Sequence, residues 1–142
     1  MSWLPKTNIV VPVDFSDESF AAIDTALDMV ESASAVHLIH VLPEMSAAEP
    51  GIVWEMVDDG TRMDHAEDAL RARLTDAKYE GIDVAITIGD PGQSIADFAA
   101  SANAELIVLP SHGRTGLQRL LIGSVAERVV RLSHCPVLVL RS

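Results

Sequence analysis

The residues best suited to ligand chemistry lie in the glycine-rich stretch 111–124, which follows an apolar run late in the chain. Gly113 and Gly116 permit positive φ and let backbone N–H groups approach a ligand closely. Gly123 and Ser124 open a helix-periodic segment, and the unpaired N–H groups and positive dipole end of a helix favour phosphate. The stretch predicts an anion-binding loop. Glycines that serve only turns are the alternative interpretation on spacing alone.

Asp14 is the second candidate, because it directly follows the first apolar run of the chain, residues 8–13. Pro12 within that run cannot donate a ladder hydrogen bond, so we expect the paired part of the strand to end at about Val11. Ligands of open α/β sheets lie beyond the carboxyl ends of the strands, where Asp14 and the glycine-rich stretch both fall. Asp14 could accept hydrogen bonds from ribose hydroxyls, and the Ser124 hydroxyl could bind phosphate or cap its helix.

Short β-branched runs alternate with helix-periodic segments along the whole sequence. This alternation favours a parallel sheet with crossover helices. It predicts a single α/β domain over residues 1–142, an open, doubly wound, Rossmann-like sheet of five strands with helices on both faces. The predicted strands cover residues 8–11, 35–41, 84–88, 106–109 and 137–140. The predicted helices start after Ser16, near Ala66, after Asp90 and at Ser124, and the second of them ends at Gly81.

Three of the predicted helix starts carry capping signals. Ser16 is an expected N-cap residue, followed by two acidic residues that suit the positive end of the helix dipole. Asp90 is followed by a proline and then by Gln93 at the spacing of a capping box. Ser124 and Glu127 predict a second capping box at the start of the last helix.

The composition excludes several classes of partner. The net charge is −11, and nucleic acid is therefore not an expected partner, because neutralising phosphates requires clustered Lys and Arg. No apolar run approaches the ~20 residues of a membrane span, so no membrane association is expected. The single cysteine, Cys135, and the lack of an apolar leader segment among the first residues predict a cytoplasmic location.

The titratable side chains do not predict an enzyme. His112 falls in the glycine-rich stretch and could act on a phosphate, but it is interpreted as a partly exposed loop histidine. His37 and His40 are expected on opposite faces of a strand, and His134 with Cys135 is too short a cluster for zinc, so no metal site is expected. No set of nucleophile, base and orienting group can be assigned, and no catalytic residue is predicted.

The last predicted strand is apolar throughout, with Val137, Leu138, Val139 and Leu140. Such a strand would be an aggregation hazard if it formed a free sheet edge. Pairing with the same strand of a second copy is the simplest way to cover it. We therefore expect a symmetric homodimer.

Five segments of the chain together resemble the universal stress protein family over essentially its whole length. They are residues 9–16 (IVVPVDFS), 40–41 (HV), 111–116 (SHGRTG), 120–127 (LLIGSVAE) and 135–139 (CPVLV). The resemblance implies a parallel sheet of order 3-2-1-4-5, with the first and fourth strands at the point where the strand order reverses. It also implies a homodimer and a regulatory role in the stress response.

The ATP-binding branch of that family is marked by the pattern G-x2-G-x9-G-S/T. Gly113, Gly123 and Ser124 match it, whereas Pro110 replaces the first glycine and lacks a backbone N–H. The resemblance implies ATP as the ligand, accompanied by Mg²⁺ or Mn²⁺, and a protein partner that the sequence does not identify. The site residues it implies are Pro12, Val13, Asp14, Val41, Leu109, Pro110, Ser111, Gly113, Arg114, Gly123, Ser124 and Val125.

Two other functions remain open on the sequence. The first is a family member without a nucleotide site that acts as a dimeric scaffold, and Pro110 is the residue that separates it from the ATP-binding hypothesis. The second is a weak ATPase or phosphotransferase, against which the lack of a recognisable base and lysine counts.

Overall fold

A parallel sheet of order β3-β2-β1-β4-β5 forms the centre of the computed structural model, which describes residues 2–45, 58–112 and 122–141. The strands are β1 Ile9–Pro12, β2 Val36–Leu42, β3 Asp83–Ile88, β4 Leu106–Pro110 and β5 Val137–Leu140. The α-helices in the described part are α1 Asp17–Leu27, α2 Asp59–Ala72, α3 Pro91–Ser101 and α4 Ser124–Leu132. The predicted fold class and the strand order that the resemblance implied are both confirmed.

The helices cover both faces of the sheet, as the doubly wound prediction requires. Ile9 and Val11 of β1 pack with Ile23 of α1 on one face, which α2 also covers. Val10 points the other way and packs with Val129 of α4 on the face that α3 shares. All five side chains are fully buried, and such burial contributes about 1.5–3 kcal/mol per side chain. No helix in the described residues combines the length and apolar character needed to cross a bilayer.

Two of the predicted helix caps are confirmed. The Ser16 hydroxyl accepts a hydrogen bond from the Ser19 N–H at 3.1 Å and caps α1. The Asp90 carboxylate accepts one from the Gln93 N–H at 3.0 Å and caps α3, whose first residue is a proline. The Gln93 side chain does not complete the box in the predicted way, because it donates to Asp97 at 2.9 Å.

The predicted capping box at the last helix is wrong. Gly123 is the N-cap residue of α4 and has extended backbone angles, φ −72° and ψ 163°. Its carbonyl accepts a hydrogen bond from the Glu127 N–H at 2.9 Å, so Ser124 is already the first helical residue. The Glu127 side chain pairs with Arg131 one turn later in the helix.

The predicted end of the second helix is also wrong. The helix ends at Ala72, well before Gly81. Beyond it, the Asp76 carboxylate accepts a hydrogen bond from the Lys78 N–H at 3.0 Å and caps a separate 3₁₀ turn, Ala77–Tyr79. Gly81, at φ +98°, follows that turn and not the helix.

Candidate functional site

The two central strands stop pairing with each other before either strand ends. β1 and β4 are neighbours at the point where the strand order reverses. Their register covers only Ile9 with Leu106 and Val10 with Ile107. On its other side, β1 remains paired with β2 as far as Pro12 and Ile39. A crevice therefore opens between the carboxyl ends of β1 and β4, which is where ligands bind in open α/β sheets.

Pro12 causes the loss of pairing from the β1 side. Successive residues of a strand direct their N–H groups to opposite neighbours in a parallel sheet. The Val13 N–H donates to the Ile39 carbonyl of β2 at 2.9 Å, so the nitrogen of Pro12 faces β4, and it carries no hydrogen. The prediction that pairing ends at Val11 needs correction, because pairing reaches Pro12 towards β2 and only Val10 towards β4.

Pro110 has the same effect from the β4 side. The Ser111 N–H donates to the Leu140 carbonyl of β5 at 2.7 Å, so the nitrogen of Pro110 faces β1. Continuing the ladder would require N–H groups at Pro12 and at Pro110, and neither proline has one. The residue that departs from the ATP-binding pattern thus helps to keep the crevice open, and its carbonyl is retained.

Asp14 stands at the β1 side of this crevice, in a tightly held turn into α1. Its Oδ1 accepts hydrogen bonds from the Ser16 N–H, at 3.0 Å, and from the Ser16 hydroxyl. Phe15 between them adopts φ +66°, an unusual conformation for an aromatic residue, and its ring packs edge-on against His40 with centroids 4.9 Å apart. The His40 Nδ1 lies 2.6 Å from the Val13 carbonyl. The turn holds the Asp14 carboxylate in a fixed orientation.

The start of α4 borders the other side of the crevice. The Gly123 N–H donates to the Ser111 carbonyl at 2.5 Å, and a Cβ at position 123 would lie only 3.0 Å from that oxygen. Side chains cap α1, α2 and α3, whereas α4 has no side-chain cap. Ser124 and Val125 in its first turn are exposed. The first-turn N–H groups of α4 are thus placed to bind an anion.

His112 is the functional candidate that the sequence interpretation set aside in favour of a loop histidine. It is half-buried and its Nδ1 lies 3.3 Å from the Ser111 hydroxyl, while its Nε2 is buried with no hydrogen-bond partner among the described residues. Its Cα would lie 3.6 Å from a Cβ at Gly123, so this ring belongs to the same corner as the start of α4. A buried ring nitrogen without a partner is costly, and a ligand oxygen or N–H here would satisfy it. An anionic ligand with several oxygens therefore fits this corner.

The remaining predicted site residues divide into three groups. The side chains of Val13 and Leu109 are buried in the core, so only their backbone atoms could meet a ligand. Val41 of β2 is half-buried on the α3–α4 face of the sheet, the face on which α4 begins. Gly113 and Arg114 lie outside the described residues.

A cavity of about 440 Å³ lies at the other end of the sheet and does not fit an anion. Its lining includes Asp28 and Glu31 as well as Asp24, which accepts hydrogen bonds from Lys78 and Tyr79. The hydrogen bond with Asp24 raises the pKa of Lys78, while burial, aided by the Asp24 charge, raises the pKa of Tyr79. Asp24 therefore already has Lys78 and Tyr79 as hydrogen-bond partners. Within the described ranges, no three His, Cys, Asp or Glu residues are grouped closely enough to hold a metal ion.

The sequence profile of the universal stress protein family matches residues 6–141. The chain belongs to the universal stress protein family. A universal stress protein of Methanocaldococcus jannaschii is 34% identical over 139 residues, which cover 94% of this chain and 81% of that relative. The match spans both sides of the crevice, and the family resemblance seen in the sequence is confirmed.

Solved structures of family members share the fold. The universal stress protein UspA from Lactobacillus plantarum is 30% identical, with a TM-score of 0.74 over 96% of this chain and 98% of that one. A universal stress protein in complex with cAMP is 26% identical, with a TM-score of 0.57 over 96% of this chain and 97% of its own.

Restoring both missing donors should extend the central ladder. In a Pro12→Val/Pro110→Val variant, we expect two new hydrogen bonds across the crevice. The N–H of residue 12 should donate to the Val108 carbonyl, and the N–H of residue 110 should donate to the carbonyl of residue 12. Both amides should then exchange slowly in a hydrogen-exchange experiment. Fast exchange at both positions would show that something other than the prolines separates β1 from β4. The Val10 amide, which the observed register already pairs, serves as the internal control.

Proposed function

We propose that this chain is a regulatory protein of the stress response that binds ATP at the carboxyl ends of β1 and β4. The observation that carries the proposal is the corner formed by Gly123 and His112, where a helix start without a side-chain cap adjoins a buried ring nitrogen without a partner. The remainder of an adenine nucleotide would lie in the crevice beside it. The related structure in complex with cAMP, which is also an adenine nucleotide, supports the class of ligand.

The proposed contacts follow the order of groups along the nucleotide. The phosphates would meet the backbone of Gly113, Gly123 and Val125, the Ser124 hydroxyl and the Arg114 guanidinium. Asp14 would accept hydrogen bonds from the ribose hydroxyls. The adenine ring would lie against the remaining site residues, which belong to β1, β2 and β4 or directly follow β1 and β4: Pro12, Val13, Val41, Leu109, Pro110 and Ser111.

The charge of the protein explains why a cation would accompany the ligand. The chain carries a net charge of −11, which opposes the approach of a triphosphate. Local N–H donors and a bound Mg²⁺ or Mn²⁺ would offset that repulsion at the site.

The proposed role is regulatory and not enzymatic. Ser111 and His112 lie side by side, but their 3.3 Å contact is loose, and no carboxylate in the described part of the chain orients the second ring nitrogen of His112. A serine–histidine pair without that third group lacks the arrangement that activates a nucleophile. We assign no catalytic residue.

A scaffold without a nucleotide site is the second candidate, and Pro110 favours it. The ATP-binding pattern has glycine at this position, whereas proline offers no N–H to a ligand. In this chain, however, the missing N–H of Pro110 also helps to keep the crevice open, because the nitrogen of Pro110 faces β1 where the pairing of β1 with β4 has already stopped. We therefore rank nucleotide binding first.

We also propose a homodimer that forms through β5. This strand lies at the edge of the sheet and pairs with β4 on one side. Because the Leu140 carbonyl accepts from the β4 side, the backbone groups of Val137 and Val139 are directed away from β4. Pairing of two β5 strands about a two-fold axis would use those groups and cover Leu138 and Leu140 as well.

Calorimetric titration with Mg-ATP tests nucleotide binding. We expect heat of binding at millimolar ligand or below, and a thermal shift, since ligand at 100 times its Kd stabilises the folded state by about 2.7 kcal/mol. Gly123→Val should weaken binding roughly tenfold or more, because the new side chain meets the Ser111 carbonyl and displaces the helix start.

The matched control is Gly60→Ala in α2, where a Cβ meets nothing closer than 3.4 Å. It should leave the affinity for ATP unchanged. Absence of both heat and thermal shift for the unaltered protein would sink the nucleotide proposal. Unchanged affinity in Gly123→Val would show that the phosphates bind elsewhere.

Substitution on the edge strand tests the dimer. Val139→Lys places a charge in the middle of β5 and should convert the protein from a dimer to a monomer in size-exclusion chromatography with light scattering. Val130→Lys is the control, because Val130 is a 48% exposed apolar residue on α4 and not on the edge strand. If Val139→Lys has the same mass as the unaltered dimer, or if the unaltered protein is a monomer, the proposed interface is wrong.

A further inference from the structure

Gly92, in the first turn of α3, brings two helices into unusually close contact. A Cβ at this position would lie 2.6 Å from the Cβ of Arg128 in α4, and 3.0 Å from its Nε. The Arg128 Cβ is bonded directly to the backbone of α4, so no change of rotamer can move it away. Any side chain at position 92 would therefore push α3 and α4 apart.

Arg128 also connects the two helices by charge. Its guanidinium Nη2 donates to the Asp90 Oδ2 at 3.2 Å. The same oxygen accepts the capping hydrogen bond from the Gln93 N–H at 3.0 Å. A half-exposed ion pair contributes little to the free energy of folding, so this one matters because of where it holds the Arg128 side chain. It fixes Arg128 across Gly92, at the end of α3 that faces the carboxyl edge of the sheet.

The contact lies one helical turn from the proposed phosphate-binding groups. Arg128 is four residues after Ser124, the first residue of α4. The helix start is also tied to the residue that follows β4, because the Gly123 N–H donates to the Ser111 carbonyl. The amino end of α4 is thus held at two points, one just after β4 and one on α3.

We propose that Gly92 and Arg128 are positioning residues that set the first-turn N–H groups of α4 for phosphate. Neither residue is assigned a contact with the ligand. The inference rests on the proposed function, since it concerns how that site is held. It predicts that widening the α3–α4 contact weakens binding of the phosphates and spares the nucleoside, because Asp14 and Val41 belong to other elements.

The test compares ATP with adenosine in Gly92→Ala, with Gly60→Ala as the matched control. We expect the Gly92→Ala affinity for ATP to fall roughly tenfold, the effect of losing one hydrogen bond to a charged group, and the affinity for adenosine to stay within about twofold. Gly60→Ala should change neither. An equal loss for both ligands would mean a general structural defect, and an unchanged affinity for ATP would mean no positioning role. Either result overturns the inference.

A second variant tests Arg128 without adding bulk at position 92. Arg128→Ala keeps the Cβ and removes the guanidinium that reaches Asp90, and we expect the affinity for ATP to fall while the affinity for adenosine stays within about twofold. An unchanged affinity for ATP in this variant would overturn the positioning role of Arg128.

A measurement on the unliganded protein tests the positioning role separately from the proposed binding of ATP. In amide NMR spectra of the unliganded protein, Gly92→Ala should shift the signals of Gly123 and Ser124, while those of Asp14 and Val41 stay in place. Unmoved Gly123 and Ser124 signals overturn the positioning role whether or not the protein binds ATP. Shifted signals in a protein that shows no heat with ATP would support the positioning contact and reject the proposed function alone.

Discussion

Two prolines on the neighbouring central strands, each with its nitrogen towards the other strand, determine where these strands separate. Pro12 on β1 and Pro110 on β4 occupy the two positions whose N–H groups would continue the ladder beyond Val10 and Ile107. Hydrophobic packing alone would not separate the strands here, because both lie in a sheet covered on each face. The crevice between Asp14 and the start of α4 depends on that missing pair of hydrogen bonds.

Proline at position 110 therefore has two opposite effects. It removes an N–H that a nucleotide could use, and it removes a donor that could close the crevice. The phosphate side of the site does not involve this position, because it depends on Gly123 packed against Ser111 and on the contact of α4 with α3. In the proposed binding mode, adenine and phosphate would therefore be recognised by separate parts of the fold.

Much of the fold could be predicted from the sequence, because it depends on local patterns. The caps at Ser16 and Asp90 involve residues only three apart, and strand and helix periods are read directly from apolar spacing. The errors at the last helix and at the central strands came from contacts outside the element itself. Gly123 displaces Ser124 as the cap because it bonds to Ser111, which lies far along the chain. The buried nitrogen of His112 and the strand that Pro12 faces depend on burial and register, which periodicity does not contain.

Residue-resolved NMR titration of the unaltered protein with ATP tests the central claim most directly. If the nucleotide binds in the crevice, the amide signals of Asp14 on the β1 side and of Gly123 and Ser124 on the α4 side should shift together and saturate at one ligand concentration. Shifts confined to Asp28 and Ser32, which line the cavity at the other end of the sheet, would contradict the account. So would a spectrum that ATP leaves unchanged.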